Sequence, residues 1–577
     1  MKKIEQYTAD FETTTSPDDC RVWAWGLFKI GSYGNFEYGN DLTEFMSRIN
    51  ELAKGGRVDI YFHNLKFDGQ FIIYWLFSNG FYHVTKKEDR GDCCFMTLIS
   101  NMGEFYAIDV YFKKQGKRWI YCRFLDSMKI LPLPVRDLPE AFNITLKKLN
   151  LDYDGERDIG HELTSSELNY LRNDCEIVAR ALEHMFTEGL TKMTLAGCAL
   201  ADYTNIVGQR AMERWFPSPD YDADVRQAYK GGFVYADPRF AGKEIGAGIV
   251  LDVNSLFPWA YSTQPLPYGE PKYFEGEYKK DNLYNVYVQM LRCSFRLKPD
   301  HIPTIQLKGS LGFMPTEYVR DSGDLEVCLC LTSVDLKLFF DHYDVFNVEY
   351  LSGWKFKSST NLFTAYSEKW FGVKAQATRD KNKPLRFIAK RMLNSIYGRF
   401  AINPNTYSKI PYYKAETDTV EYANGEDEQR KPLYIPVGAF ITAYARDKTI
   451  RAAQMLYDRF LYADTDSLHL IGKEIPDDIL EIDDVELGAW AHESSFDRAK
   501  YLRAKTYIEE EGIITRRGFQ ISYRRELRVT VAGMPAKLHK LVTFDNFKPG
   551  AVYGGKLLPK RVPGGVVLSE TTFKILK

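Results

Sequence analysis

The chain has 577 residues, and its 76 Lys and Arg nearly balance its 77 Asp and Glu, so no overall positive charge indicates a nucleic-acid partner. A hydrophobic content of 45% and a charged content of 27% exclude a mainly disordered chain. The nine cysteines have no framework spacing, which favours reduced thiols over a disulfide scaffold. The sequence predicts neither a signal peptide nor a membrane-spanning segment, and therefore a cytoplasmic protein.

The first third of the chain alternates strand-like and helix-like segments. Residues 57–62 predict a buried strand, and residues 95–125 predict antiparallel strands. A helix is predicted from near Thr164 to about Phe186, because Thr164 and Glu167 have the spacing of a capping box and apolar residues follow at helical intervals. The pattern indicates a mixed domain of helices and strands.

Three acidic motifs follow one another in this first region. Asp10 and Glu12 end a predicted strand and, being two residues apart, face the same side. Asp68 follows the next predicted strand, and Tyr170 and Asp174 share one face of the capped helix. Each motif alone is more simply interpreted as surface charge. Together they predict a two-metal phosphodiesterase site, because converging carboxylates need hard cations such as Mg²⁺ between them and Tyr170 can orient the attacking water.

Two further predicted strands end at aspartates about two hundred residues apart. The second continues through Asp464 and Asp466 into another strand, which alone would be an ordinary hairpin turn. When the turn is considered together with Asp252, it has a second interpretation, as part of a metal site. Asp252 and Asp466, helped by the Val253 carbonyl, would hold two Mg²⁺ that activate a 3′-hydroxyl for attack on a triphosphate.

A basic helical region lies between these two aspartate motifs. Residues 369–399 contain nine basic residues and one acidic residue. Arg386, Lys390, Asn394 and Tyr397 fall on one helical stripe beside an apolar one. One interpretation of this stripe is a cationic helix face that is simply exposed to solvent. Because this stripe ends in small and aromatic residues, it favours a site for a triphosphate and the incoming base pair.

The C-terminal region from Arg498 to Lys577 is also basic, with 17 Lys and Arg against six Asp and Glu. Lys505 and Tyr507 are expected on the same face of a strand, an arrangement suited to a primer backbone. A generic basic surface explains the composition equally well.

The motif set resembles that of family B DNA polymerases, and over nearly the whole chain it resembles the protein-primed branch of the Bacillus phage phi29 type. The segments that carry the resemblance are Asp10–Glu12, Asn64–Asp68, Tyr170–Asp174, Tyr229–Phe233, Asp252–Pro258, Lys390–Gly398, Tyr462–Ser467 and Lys505–Tyr507. Three positions depart from the family pattern: Phe257 replaces a tyrosine, Ala463 a cysteine and Met128 a leucine.

The resemblance implies an α+β multidomain fold. It consists of a ribonuclease-H-like 3′–5′ exonuclease domain and a right-hand polymerase with two terminal-protein-region insertions. The expected units are exonuclease 1–194, palm 195–263 and 434–531, first insertion 264–361, fingers 362–401, second insertion 402–433 and thumb 532–577.

The resemblance also implies a function. The protein would be a DNA-directed DNA polymerase that is protein-primed, processive and strand-displacing, proofreads 3′ to 5′, and replicates a linear viral DNA genome. Its expected partners are primer-template DNA, deoxynucleoside triphosphates and a terminal protein that contacts the first insertion, while the second insertion closes a ring around DNA. Each active site is expected to take two Mg²⁺, for which Mn²⁺ can substitute, and the enzyme to act as a monomer in the host cytoplasm.

Site residues are carried over position by position. The catalytic residues are Asp10, Glu12, Asp68, Lys148, Tyr170, Asp174, Asp252, Asp464 and Asp466. The metal ligands are Asp10, Glu12, Asp68, Asp174, Asp252, Val253, Asp464 and Asp466. The nucleotide-binding residues are Val253, Leu256, Phe257, Lys374, Lys390, Asn394 and Tyr397. The DNA-binding residues are Thr13, His63, Asn64, Phe67, Ser127, Tyr229, Gly231, Gly232, Lys505 and Tyr507.

Two other functions stay open at this point. One is a dedicated nuclease whose second region only grips DNA, against which the intact Asp252, Asp464 and Asp466 argue. The other is a non-catalytic replication scaffold that binds DNA and a partner protein. Primer extension with and without deoxynucleotides separates all three, because the outcomes are extension, degradation alone, or neither.

Overall fold

The computed structural model describes residues 4–32, 34–152, 155, 157–217, 220–306, 318–323, 325–517 and 520–576. The side chains of residues 513–523 are outside this description, as are residues 307–317 and 324, which belong to the first predicted insertion. Among the described residues, no helix is both long and apolar enough to cross a membrane.

The N-terminal unit is built on an eight-stranded sheet. Its strands are β1 (Glu5–Thr13), β2 (Val22–Lys29), β3 (Phe36–Gly39), β4 (Val58–Phe62), β5 (Tyr82–His83), β6 (Cys94–Ile99), β7 (Phe105–Gln115) and β8 (Arg118–Asp126). Its helices are α1 (Leu42–Lys54), α2 (Leu65–Ser78), α3 (Leu138–Phe142) and α4 (Ser165–Thr187). The strand order is β3-β2-β1-β4-β8-β7-β6-β5, and β4 is parallel to both of its neighbours.

The predicted strand at 57–62 and the predicted helix at 164–186 are confirmed as β4 and α4. All five residues of β4 are buried, because Ile60 packs in the core on the α1 side and Tyr61 in the core on the α4 side. The capping box at the start of α4 is present: Thr164 and Glu167 each accept a hydrogen bond from the other's backbone N–H.

The chain then enters the region of the first aspartate motif. Its elements are α5 (Leu195–Val207), α6 (Gln209–Trp215), α7 (Asp222–Arg226), β9 (Val234–Ala236), β10 (Glu244–Ile245), β11 (Gly248–Val253) and α8 (Leu256–Thr263). Ser255, the residue before α8, has a φ of 57°, which lets the chain turn sharply from the end of β11 into the helix.

Two segments predicted to be insertions follow, with a helical segment between them. The first predicted insertion contains β12 (Leu266–Glu275), β13 (Val286–Leu297), β14 (Val327–Thr332), α9 (Ser333–His342) and β15 (Tyr343–Ser359). The helical segment contains α10 (Thr364–Arg379), α11 (Lys383–Ser395) and α12 (Tyr397–Phe400). The second predicted insertion contains β16 (Asn405–Thr406), β17 (Lys409–Lys414), β18 (Thr419–Asn424) and β19 (Glu428–Gln429). Strands β12–β15 form their own sheet, in the order β12-β15-β13-β14.

The last part of the chain completes the sheet that β11 began. Its elements are α13 (Ile435–Met455), β20 (Phe460–Asp464), β21 (Ser467–Ile471), β22 (Trp490–Phe496), β23 (Arg498–Arg503), β24 (Thr506–Arg517), β25 (Gln520–Val531), β26 (Val552–Val562) and β27 (Gly565–Lys574). One sheet has the order β22-β11-β21-β20-β9, and an adjoining one the order β10-β23-β24-β25. The strands predicted at the two aspartate motifs, β11 and β20, therefore lie in one sheet with β21 between them.

The C-terminal hairpin of β26 and β27 reaches back to the N-terminal unit. Val562 and Val566 are buried in the same core as Phe71. A Cβ on Gly564, at the hairpin turn, would lie 1.9 Å from the Cys20 carbonyl oxygen, so only glycine fits this close approach. The two ends of the chain are thereby packed together.

Candidate active sites

The first acidic cluster is assembled at the end of β1. Asp10 and Glu12 project from one face of that strand, and Tyr170 and Asp174 approach from α4. These four side chains line a cavity of about 700 Å³. Asp68, in the first turn of α2, is buried close to Asp10. The structure thus brings together all five residues that the three sequence motifs nominated.

The carboxyl groups of this cluster are poorly solvated and repel one another. Burial first, and then the charge of Asp174, raises the pKa of Asp10 to about 7. Burial, with the charge of Asp10 next, also raises the pKa values of Glu12 and Asp68 well above their usual values. The site therefore favours bound cations or protons at neutral pH.

Lys148 supplies a positive charge of the protein's own to this cluster. Its ammonium group donates a hydrogen bond to the Tyr170 hydroxyl at 3.0 Å and is ion-paired with Asp174. That ion pair opposes the effect of burial, although the pKa of Asp174 stays raised overall. Lys148 therefore links the tyrosine and one carboxylate in a fixed arrangement.

The predicted primer-end contacts divide into two groups. Thr13, His63, Asn64 and Phe67 line the cavity. Ser127 is fully buried behind His63, with its oxygen 2.9 Å from the Nδ1 atom of that ring, so it supports His63 instead of facing the cavity. Burial lowers the pKa of His63 to about 4, which makes the ring neutral at pH 7.

One wall of the cavity comes from a part of the chain that sequence reasoning did not connect with it. Leu557 of β26 and residues 566–568 of β27 line the cavity opposite the carboxylates. These residues form an ordinary alternating strand pattern almost four hundred positions from Asp174, so no local signal indicates the contact. Only the packing of the C-terminal hairpin on the N-terminal unit reveals it.

The second acidic cluster lies at one end of the sheet formed by β11, β21 and β20. Asp252 is paired with Ser467, and Asp464 with the same Ser467 from the other side. The predicted strand–turn–strand is confirmed, with Thr465 at a φ of 64° in the turn. The Val253 N–H donates a hydrogen bond of 2.8 Å to the Asp466 carbonyl, which ties the two motifs directly.

A fourth acidic side chain was missed by the sequence analysis. Glu493 lies on β22, which pairs with β11 next to Asp252. Burial, then the charges of Asp466 and Glu493, raises the pKa of Asp252 to about 7, and Lys390 opposes this shift. The pKa of Asp466 is likewise raised by burial and then by the charges of Asp464 and Glu493, with Lys390 again opposing. Since Glu493 belongs to none of the recognised motifs, only the strand pairing identifies it.

The predicted template-binding segment packs against the aspartate turn. A Cβ on Gly232 would lie 2.6 Å from the Thr465 hydroxyl, so glycine is needed there for the close approach. The buried Arg446 of α13 donates hydrogen bonds of 2.7 Å to the carbonyls of Lys230 and Gly231 while it is ion-paired with Asp335 of α9. Tyr229, the first residue of this segment, is half-buried.

Two stacked aromatic rings lie between the aspartates and the helical segment of α10–α12. Phe257 of α8 stacks on Tyr397 of α12, with ring centroids 4.1 Å apart and planes inclined by 24°. Leu256 and Val253 are buried in the core against which Phe257 packs. The Tyr397 hydroxyl is close enough to Asp466 for that charge, after burial and Tyr229, to raise its pKa to about 12.

The predicted triphosphate ligands lie on two neighbouring helices. Asn382 caps α11, whose buried face carries Ile388 and Met392, and this leaves Lys390 and Asn394 exposed. Lys374 lies on α10, where burial first and then the charges of Lys390 and Arg386 lower its pKa. Three cations are therefore concentrated on the side of the sheet that holds the aspartates.

The predicted primer motif requires a correction. Lys505 does not lie on a strand with Tyr507: it has a φ of 53° and forms, with Ala504, the two-residue turn that joins β23 to β24. Because the turn reverses the chain there, the alternation expected of a strand begins only at Thr506. The turn nevertheless places the Lys505 ammonium 3.2 Å from a carboxylate oxygen of Asp464.

Both clusters have the oxygen donors that Mg²⁺ prefers. As the side chains stand, however, no three carboxylate, imidazole or thiol groups in the described ranges form a set that would hold a metal ion. In the first cluster, Lys148 takes up part of the acceptor capacity of Asp174. The donor chemistry of both clusters fits divalent cations.

Comparison with known proteins places the whole chain. The family model for DNA polymerase type B, organellar and viral, matches residues 49–484. The DNA polymerase of Bacillus phage B103 is 44% identical over 581 residues, which cover 99% of this chain and 99% of the relative. The DNA polymerase of Bacillus phage phi29 is also 44% identical, over 580 residues and 99% of each chain.

The solved structures agree. The structure of phi29 DNA polymerase complexed with primer-template DNA and incoming nucleotide substrates matches with a TM-score of 0.92 at 44% identity, covering 99% of this chain and 100% of that one. The arrangement of the whole chain is thus shared with that enzyme. The chain belongs to the organellar and viral type B DNA polymerases and is a DNA-directed DNA polymerase of the phi29 type.

Proposed function

We propose that this polymerase also proofreads with a 3′–5′ exonuclease, starts synthesis on a terminal protein and displaces the strand ahead of it. It would replicate a linear viral DNA as a monomer in the cytoplasm of a bacterial host. The observation that carries the two activities is the presence, in one chain, of two carboxylate clusters on separate sheets, each with its own lysines.

In the proposed exonuclease site, Asp10, Glu12, Asp68 and Asp174 would hold two Mg²⁺ or Mn²⁺. The Tyr170 hydroxyl, fixed by Lys148, is placed to orient the water that attacks the terminal phosphodiester. The side chains that line the cavity, such as Phe67, would receive the primer end.

In the proposed polymerase site, Asp252, Asp464, Asp466 and the Val253 carbonyl would hold the second pair of ions. Bound Mg²⁺ would supply, at both sites, activation of the attacking oxygen and neutralisation of the leaving group. Lys374 and Lys390, with Asn394, would bind the triphosphate. The stacked rings of Phe257 and Tyr397 would lie under the incoming sugar and base, where ring volume excludes a 2′-hydroxyl.

The element boundaries support the proposed domain bounds. The sheet of β12–β15 lies within the first insertion at 264–361, helices α10–α12 within the fingers at 362–401, and β16–β19 within the second insertion at 402–433. The exonuclease domain (1–194), with its central β1-β4-β8 sheet, would be ribonuclease-H-like, followed by the palm (195–263 and 434–531) and the thumb (532–577).

Contacts between three units support a ring around DNA. In the second insertion, Tyr422 donates a hydrogen bond to Gln70 of the exonuclease unit at 2.8 Å. Glu421 beside it pairs with Arg561 of the C-terminal hairpin at 2.5 Å. A closed ring of this kind would hold the template during many additions and separate the strand ahead of the polymerase.

A primer-extension assay tests the paired activities. With deoxynucleotides and Mg²⁺ the enzyme should extend a primer, and without deoxynucleotides it should shorten the same primer from its 3′ end. Protein priming is tested by adding the purified cognate terminal protein and a labelled deoxynucleotide without a DNA primer. A covalent protein–nucleotide product is expected, and failure to form it with an enzyme that extends DNA would refute protein priming alone.

A further inference from the structure

A buried polar cluster lies directly behind the aspartate turn of the polymerase site. His469 of β21, Tyr501 of β23 and Glu509 of β24 are each at most 4% exposed. The Tyr501 hydroxyl donates a hydrogen bond of 2.7 Å to Glu509, and the Nδ1 atom of His469 lies 2.7 Å from the same carboxylate oxygen. The cluster therefore joins the sheet that holds the aspartates to the neighbouring sheet of β23 and β24.

The contacts of the Glu509 carboxylate favour its charged form in spite of its burial. Burial by itself raises the pKa of Glu509, but the hydrogen bond and charge of His469, followed by the hydrogen bond from Tyr501, outweigh it and lower the pKa below its usual value. An ionised carboxylate only accepts hydrogen bonds, so Nδ1 of His469 must carry the hydrogen. Both partners are thus oriented by one buried negative charge.

This cluster continues without a gap to the atoms of the proposed primer site. The rings of Tyr462 and Tyr507 pack against His469, with centroids 5.0 and 5.2 Å away. The Tyr462 hydroxyl donates to Asp464 at 3.2 Å and accepts a hydrogen bond from the Lys505 backbone N–H at 3.0 Å. Tyr462 thus connects the cluster to the catalytic aspartate and to the turn that carries the primer lysine.

Buried hydrogen-bonded groups fix a single arrangement more strictly than apolar packing does, because any slip leaves a charged or polar group without a partner. We propose that His469 and Glu509 are positioning residues, which set the Lys505 turn against Asp464 and thereby hold the primer terminus in the polymerase site. The inference rests on the proposed primer role of Lys505. It assigns to these residues neither metal nor nucleotide binding.

The experiment uses the full chain and two variants: His469→Asn, which removes the ring, and Glu509→Gln, which removes the charge and keeps the side-chain shape. The matched control is His342→Asn, which alters a histidine of equal burial that contacts the Ile302 carbonyl in the first insertion. Primer-template affinity and extension are measured in an Asp10→Ala, Glu12→Ala background, which excludes degradation. Degradation of single-stranded DNA is measured without those two changes.

Both variants should weaken primer-template binding by about tenfold, the loss typical of one charge-assisted hydrogen bond. The KM for the incoming nucleotide and the degradation of single-stranded DNA should stay within about twofold, a shift worth less than 0.5 kcal/mol. Because His469 acts through the Lys505 turn, adding His469→Asn to Lys505→Ala should weaken binding no further than Lys505→Ala does alone.

Three results would overturn the positioning role: additive losses in the double variant, an equal loss of single-stranded degradation, or the same loss in His342→Asn. If His469→Asn does not fold, Glu509→Gln decides the outcome, since it preserves the side-chain shape. If Lys505→Ala itself leaves primer-template affinity unchanged, the proposed primer role of Lys505 is wrong, and the positioning role of His469 and Glu509 is refuted as well. A loss with Lys505→Ala but not with His469→Asn or Glu509→Gln would refute only the positioning.

Discussion

The two carboxylate clusters of this polymerase differ in the groups that compensate their crowded negative charges. The cluster in the N-terminal unit contains its own cation, because Lys148 is ion-paired with Asp174 and hydrogen-bonded to Tyr170. In the sheet of β11 and β20, Lys505 pairs with Asp464 at 3.2 Å, and Lys390 acts on Asp252 and Asp466 only through space. The ion-paired aspartate is therefore buried in the first site, whereas in the second it is the more exposed Asp464, and the charges of Asp252 and Asp466 are left for what the site binds.

This difference matches the substrates proposed for the two sites. A nuclease site takes a single DNA strand and water, so a permanent internal cation can help without competing with a nucleotide. A polymerase site must admit a triphosphate on every cycle. The cations proposed to bind the triphosphate lie on α10 and α11, where Lys374, Lys390 and Arg386 repel one another until an anion arrives.

Removing one cluster at a time tests whether the sites are separate. Asp466→Ala should lower primer extension by about a thousandfold or more, equivalent to about 4 kcal/mol, and leave degradation of single-stranded DNA intact. Asp10→Ala combined with Glu12→Ala should do the reverse. Both activities are measured on one preparation whose folding is checked by thermal unfolding. Loss of both activities from a folded single-site variant would contradict the two-site arrangement.

The stacked rings of Phe257 and Tyr397 belong to the polymerase site, and Phe257→Val should create space there by removing one ring. Because the ring is proposed to exclude a 2′-hydroxyl by its volume, ribonucleotide insertion should rise by about a hundredfold, which corresponds to about 2.7 kcal/mol of lost steric discrimination. Phe257→Tyr keeps the ring and is the matched control, with little expected change. Single-nucleotide incorporation of matched ribo- and deoxynucleotides measures both. Equal use of both sugars by the unmodified enzyme would show that Phe257 does not select the sugar.

The pH dependence of the two activities should separate the effect of Lys148, which is ion-paired within its cluster, from that of Lys390, which acts at a distance. Asp10 and Asp252 both have pKa values raised to about 7, so below that pH they are protonated and neutral, and both activities should rise as the pH increases through 7. Lys148 lowers the pKa values of the first cluster, so Lys148→Ala should move the midpoint of exonuclease activity upward by about one pH unit. The polymerase profile should not move, and a shift in both profiles would contradict the assignment.

Glu493 gives the smallest expected effect. Its charge contributes to the raised pKa values of Asp252 and Asp466, so Glu493→Gln should move the midpoint of polymerase activity downward by less than about half a pH unit. Glu162→Gln, an exposed carboxylate of the N-terminal unit, is the control. An upward shift with Glu493→Gln would show that this residue stabilises the charged aspartates by holding a cation.

Local motifs predicted much of both sites. The capping box placed α4, and with it Tyr170 and Asp174, because capping depends only on residues three positions apart. The turn at Asp464 and Asp466 was also predictable, since short side chains favour such turns. The strand assigned to Lys505 was wrong, because Ala504 and Lys505, which form the two-residue turn, are not among the residues typical of turns.

Contacts between distant elements could not be predicted in this way. Glu493 approaches Asp252 only because β22 pairs with β11, and strand pairing leaves no trace in the sequence near either residue. The same holds for Val566 and Leu568, which line the first cavity although they belong to the last strand of the chain.

The sequence by itself determined which residues are candidates for the chemistry, because paired carboxylates, capped helices and turn residues are specified over a few positions. Only the tertiary structure decided how their charges are balanced. The pairing of Lys148 with Asp174, the crowding of Lys374 by Lys390, and the buried contact of His469 with Glu509 all depend on side chains from different elements. Electrostatic interactions depend on distance and burial, and both arise only when the whole chain has packed.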